Sequence, residues 1–140
     1  MRSETWALLD SHLGAWPVLT GGAVDPSELD AAEHAVGMRL PLDYRQFVQR
    51  HGGAVVGSLP VFGLRPVEAM GSPWSIVEVN SERGDIPELD TWLIFSRDLA
   101  GNPIGIKNDG SVWVWDHDFG GAAQTDEDFE AFLRRQCSSS

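Results

Sequence analysis

The chain has 140 residues, with 21 Asp and Glu against 10 Lys and Arg, a net charge of −11 and a pI near 4.5. That length fits one domain burying roughly two-thirds of the surface its unfolded chain exposes, and 42% apolar residues, six Trp among the aromatics, exclude disorder driven by charge and low hydrophobicity. With Lys107 the single lysine, the acidity argues against direct nucleic-acid binding, which needs clustered Lys and Arg, whereas a basic partner would be steered in.

The chain opens with a helix over Glu4 to Leu13, where Trp6, Leu9 and Leu13 form one stripe with Leu8 close by and Gly14 ends the pattern. Gly21-Gly22 is a loop. Asp25-Pro26-Ser27-Glu28 has the order of a helix start, an N-cap acid, Pro at the first helical position and Glu at N3. Leu29, Ala32 and Val36 share a face there, and Gly37 supplies the C-terminal cap. A third helix begins at Pro41, turns Tyr44, Phe47 and Val48 inward, and stops at His51-Gly52-Gly53.

The middle is less regular. Val55-Val56 and Leu59 to Phe62 read as short strands broken by Gly57 and Pro60, and Pro66 opens one helical turn through Met70. Ile76 to Val79 has strand character, but Trp74, Val77 and Ser81 fit a helix before Gly84, and helix is favoured. Thr91 to Ser96 is a strand. Pro103 to Asn108 and Ser111 to Asp116 are strands joined through Asn108-Asp109-Gly110, a strong hairpin signal. Val112 and Val114 face one way, Trp113 and Trp115 the other. Such a strand is either covered on both faces, or covered on one and used on the other. Thr125 to Asp128 caps a closing helix with Phe129, Phe132 and Leu133, and Arg134 and Arg135 sit at its C-terminal end, where the dipole favours cations. The order gives an α+β domain over residues 1–136, with 137–140 a flexible tail.

Catalytic signals are weak. Asp116-His117-Asp118 could supply metal ligands or an acid–base His, but neighbours on a strand point to opposite sides, and a turn leaving the hairpin is the simpler reading. His51 before two glycines follows a helix and fits a helix end better than a phosphate cradle. His12 and His34 read as surface or boundary residues. Cys137 has no internal disulfide partner, no Cys/His set has zinc spacing, and neither a metal nor a cofactor is expected. Met1 to Thr5 contains no apolar secretory core, and no apolar run approaches the ~20 residues that span a bilayer. A cytoplasmic protein is the expectation.

Charge distribution says more. Residues 78 to 130 hold 13 acids against Arg83, Arg97 and Lys107, a net charge of −10. Either this is a solvated, solubility-giving surface or it is a docking face for a basic protein.

The ordered motifs carry a resemblance. Trp6 with its Leu partners is followed by Glu33 in Ala-Ala-Glu-His-Ala-Val-Gly, then Leu40-Pro41-Leu42-Asp43-Tyr44-Arg45-Gln46-Phe47 leading to His51-Gly52-Gly53. Next come Trp92-Leu93-Ile94-Phe95, Asp98-Leu99-Ala100-Gly101-Asn102, the strand Val112 to Asp116 with His117-Asp118, and Phe129-Glu130-Ala131-Phe132-Leu133. From Trp6 to Leu133 the chain resembles the SMI1/KNR4 (SUKH) superfamily, with the Leu-Pro-x-Asp-Tyr-x-x-Phe to Gly segment its most specific part. His51 departs from the Asn usual before the helix-ending glycine. The resemblance implies helices packed around a mixed, largely antiparallel sheet. It also implies kinship with bacterial immunity proteins, which bind a cognate toxin domain, often a nuclease or nucleic-acid deaminase. The family has no shared catalytic residues, and its variable toxin-contacting surface allows no contact residue to be transferred.

The leading expectation is a toxin-neutralising protein with a basic partner. Glu78, Glu82, Asp85 and Asp98 would attract it, with Trp113, Trp115, His117 and Asp118 supplying contacts. For Trp113 and Trp115 a core role competes. A regulatory or scaffold module is the alternative function, and a hydrolase built on Asp116, His117 and Asp118 ranks last.

Overall fold

Three helices precede the sheet, each formed largely for the local reasons given above. In the computed structural model, which describes residues 1–138, helix α1 spans Ser3–Leu13 and buries Thr5, Leu9 and Leu13. Helix α2, Pro26–Val36, is entered through Asp25, whose backbone N–H donates to Glu28 Oε2 at 3.0 Å, and left through Gly37 at φ 77°, a left-handed value that suits glycine. Helix α3, Leu42–His51, follows Pro41 and buries Tyr44, Phe47 and Val48.

Strands β1 (Ala54–Val56), β2 (Leu59–Val61), β3 (Leu93–Arg97), β4 (Pro103–Ile106), β5 (Val112–Asp116) and β6 (Gly121–Asp126) form one sheet in sequence order. Every strand pair is antiparallel, and the parallel contact is an isolated bridge between Gly63 and Ser75. Pro60 lies inside β2 opposite Val55 instead of breaking it. A single turn does follow Pro66, with the Met70 and Gly71 N–H groups both donating to the Val67 carbonyl. Within the Ser75–Arg83 stretch the favoured helix forms over its middle: α4 spans Ile76–Ser81, with Ser75 Oγ accepting from the Glu78 N–H at 3.3 Å.

Two readings shift. Thr125 and Asp126 belong to β6, and the closing helix α5, Phe129–Ser138, is capped by Asp128, whose Oδ1 accepts from the Ala131 N–H at 2.7 Å. The helix also runs through Cys137, which is buried, so order extends past residue 136. The rest of the expected tail, residues 139–140, lies outside the described residues.

The core is aromatic. Phe95 of β3 meets Phe132 and Phe129 edge-on at 4.9 and 5.3 Å between centroids, and Tyr44 packs against Phe129 at 5.5 Å while its hydroxyl donates to the Phe62 carbonyl at 2.6 Å. Burial of that phenol pushes its pKa well up. Helix α1 is tied to α5 by Glu130, whose Oε2 accepts from Thr5 Oγ1 at 2.6 Å and the Arg2 N–H at 2.8 Å. Arg134 in turn donates to Thr5 Oγ1 at 3.0 Å.

The His51-Gly52-Gly53 segment is a helix end, and it is also a crossing point of backbones. The His51 carbonyl accepts from the Gly21 and Gly22 N–H groups, and the Gly52 carbonyl accepts from those of Leu64 and Arg65. A Cβ on Gly52 would collide with the Gly22 carbonyl oxygen, and one on Gly63 with the Gly52 carbonyl. Only glycine lets these chains approach so closely.

Candidate functional site

The antiparallel meander puts three turns at one end of the sheet: Gly57-Ser58 between β1 and β2, residues 98–102 between β3 and β4, and residues 117–120 between β5 and β6. Two of them are built on an aspartate. Asp98 Oδ1 accepts from the Ala100 and Asn102 N–H groups at 3.0 and 2.9 Å, and its Oδ2 accepts from Asn102 Nδ2 at 3.0 Å. Asp116 Oδ1 accepts from the Asp118 and Phe119 N–H groups at 2.9 and 3.3 Å. A short polar side chain taking N–H groups two and more residues on is the physical basis of such turns.

Asn102 joins the two turns. Its side chain is buried; its Oδ1 accepts from the His117 N–H at 3.1 Å and also lies against His117 Nδ1. Because Asn102 Nδ2 is committed to Asp98, the amide oxygen is the atom that faces the imidazole. His117 Nε2 then lies 3.4 Å from Asp118 Oδ1.

Of the residues singled out in the sequence, Asp98, His117 and Asp118 therefore gather at this end, and Trp115 is one position before Asp116. Trp113 lies further along β5, opposite Gly105. Lys107 Nζ stands 3.6 Å from its ring centroid, and its Nε1 donates to Ser111 Oγ at 2.8 Å. Trp113 and Trp115 are both half-buried, packed against the core on one side; Trp92, by contrast, is buried. Glu78, Glu82 and Asp85 are exposed on α4 and the loop after it. That segment is anchored at Ile94 through Asn80, about 13 Å of strand away from Asp98. The acidic residues thus form two groups at opposite ends of β3.

Three residues of the turn end are absent from the sequence-derived set: Asn102, Leu99 and Phe119. Leu99 and Phe119 are large apolar side chains left 83% and 88% exposed. Their signal is a large apolar residue inside a polar Asp/Gly turn sequence, where burial has no local cause.

Asp116-His117-Asp118 is a turn, with Asp116 holding backbone N–H groups and His117 holding Asn102. Among the described residues, no three His, Cys, Asp or Glu side chains converge as metal ligands would, and no helix is long and apolar enough to cross a membrane. His12 is half-buried, its Nε2 accepting from the Gly57 N–H at 3.2 Å, and His34 is exposed.

A sequence model of the SMI1 / KNR4 family (SUKH-1) matches residues 23–135. The chain belongs to that family. The matched SUKH-1 segment runs from the approach to α2 into α5 and contains the whole sheet, so both turns joined by Asn102 fall inside it, while α1 precedes it. No curated protein is significantly similar to this SUKH-1 chain.

Proposed function

We propose that this SUKH-1 protein is a non-enzymatic immunity protein. It acts in the cytoplasm, where it binds and neutralises a cognate bacterial toxin domain, a nuclease or nucleic-acid deaminase. Family membership over residues 23–135 carries the reading, and the charge of the chain supports the partner's chemistry. A domain that grips nucleic acid presents a basic cleft, and a protein of net charge −11 is drawn to it at long range. Carboxylates would occupy the phosphate positions, with aromatic and apolar side chains supplying much of the affinity. Glu78, Glu82, Asp85, Asp98 and Asp118 are the proposed source of attraction, and Trp113, Trp115 and His117 of contact.

The test is co-expression with the C-terminal domain of a toxin encoded beside this gene. Growth restored by this chain, together with a purified complex whose association slows as salt rises, is the expected outcome. Unrelieved toxicity and no complex with that domain would sink the reading.

A further inference from the structure

We infer that the turn end of the sheet, centred on Leu99 and Phe119, is the surface that docks on the partner. The partner is a protein domain offering apolar pockets bordered by Lys and Arg. This rests on the immunity reading above and assigns it a place on the molecule.

Single exposed apolar side chains are ordinary; this pair differs in three respects. First, the two residues project from neighbouring turns that Asn102 fastens together, so both tips are held before any partner arrives. Rigid apolar anchors bind at lower entropic cost than mobile ones. Second, Leu99 forms part of the wall of a groove of about 470 Å³, with half-buried Val114 on its floor and Asp98, Thr125 and Arg135 along its edge, so a partner side chain has a recess to enter beside the tip. Third, carboxylates outnumber cations around the two tips. Asp98, Asp116 and Asp118 belong to the two turns, and the Asp118 side chain is 77% exposed. Of the nearby cations, Arg135 is paired with Asp126 at 2.9 Å, leaving Arg97, whose guanidinium stands over the Phe62 ring. An apolar centre with a charged border has the layout of a protein interface. Its sign selects a basic protein, and the same carboxylates would repel an anionic lipid surface.

The experiment uses the full chain and the purified C-terminal toxin domain encoded beside it, with affinity measured by titration. Wild-type protein binds. The double variant L99S/F119S melts at the wild-type temperature, since both side chains are exposed, but binds at least about 100-fold more weakly and no longer restores growth. Asp118→Arg, a second probe of the same surface, slows association about tenfold at low salt. The variant E78Q/E82Q/D85N, at the other end of β3, loses part of the long-range attraction and associates more slowly at low salt, but its complex dissociates at the wild-type rate. Should wild-type protein bind while L99S/F119S stays within threefold of it and Asp118→Arg associates at the normal rate, the docking surface lies elsewhere and the immunity function stands. Absence of wild-type binding would instead remove the immunity reading, and this inference with it.

Discussion

The Asn80 carboxamide pairs with the backbone of Ile94 as a neighbouring strand would: Oδ1 accepts from the Ile94 N–H and Nδ2 donates to the Ile94 carbonyl, each at 2.9 Å. Strand β2 pairs with β3 at Val61 and Ser96, and Asn80 takes over further along the same edge. Its amide is buried, with Arg83 also donating to Oδ1. Asn80→Leu keeps the volume but strands two backbone groups, each at about 1–3 kcal/mol. A loss of about 2–4 kcal/mol in urea unfolding, at unchanged m-value, is expected; a loss below about 0.5 kcal/mol would show that water can replace the amide.

The glycines separate into two classes that alanine substitution distinguishes. Gly37 and Gly52 have nearly equal φ, 77° and 75°, but a Cβ on Gly37 meets open space, whereas one on Gly52 meets the Gly22 carbonyl. Gly37→Ala carries only the left-handed penalty, about 1 kcal/mol. Gly52→Ala must also push two backbones apart, and a loss of at least about 3 kcal/mol or failure to fold is expected. Equal melting temperatures for the two variants would contradict the packing argument.

Stability is expected to fall on mild acidification because of His51. Its ring lies between Trp6 and Phe47, with centroids at 6.3 and 5.2 Å, and Nε2 is buried with no hydrogen-bond partner. Burial, then the neighbouring Arg50 charge, holds its pKa below the usual histidine value, with Asp10 opposing. The unfolded chain therefore takes up this proton first. The stability linked to His51 is complete above about pH 6.5 and declines as pH drops below it. Carboxylates act lower. Glu28 is held down chiefly by Arg65, Asp109 by Ser111, and Glu130 by Thr5 and Arg2 against an opposing burial effect; their stabilisation is lost only as pH falls through the carboxylate range. Chemical unfolding from pH 7 to 5.5 should show the slope in wild-type protein and lose much of it in His51→Gln. A flat wild-type profile over that interval would exclude the assignment.

The Thr5–Glu130 contact holds α1 on the domain. Thr5→Val is nearly isosteric, removing both the donor to Glu130 and the acceptor for Arg134. The expected cost is about 1–3 kcal/mol. Hydrogen exchange should rise earliest in α1, ahead of the sheet, and uniform acceleration across the molecule would argue against a local clamp.

What was legible in the sequence was what neighbours along the chain determine. The Asp25–Glu28 helix entry, the Gly37 exit and the Asn108-Asp109-Gly110 hairpin each follow from residues within a few positions, and the structure has all three. Strand β6 escaped because Gly-Ala-Ala-Gln-Thr-Asp has no alternating apolar pattern; residues 122–125 are exposed, and pairing with β5 is what makes them a strand. The 3-10 turns at Pro17–Leu19 and Pro87–Thr91 escaped because their length leaves no periodicity to read. At the candidate site, His117 and Asp98 were recognisable as chemistry, but their connection runs through Asn102, 15 residues before His117. The separation of Asp98 from Glu82 depends on which end of β3 each element reaches, information held in the pairing and not in the spacing.

The clasp between the two ends of the chain sets an order of events during synthesis. Each strand of the meander pairs with the one made just before it, so the sheet can grow as residues emerge. Helix α1 can meet α3 early, through Trp6 against His51, but its clasp on α5 closes last, since Thr5 waits 125 residues for Glu130. Until α5 arrives, Phe95 has neither Phe129 nor Phe132 beside it, and a nascent chain carries an open aromatic face of the kind chaperones guard.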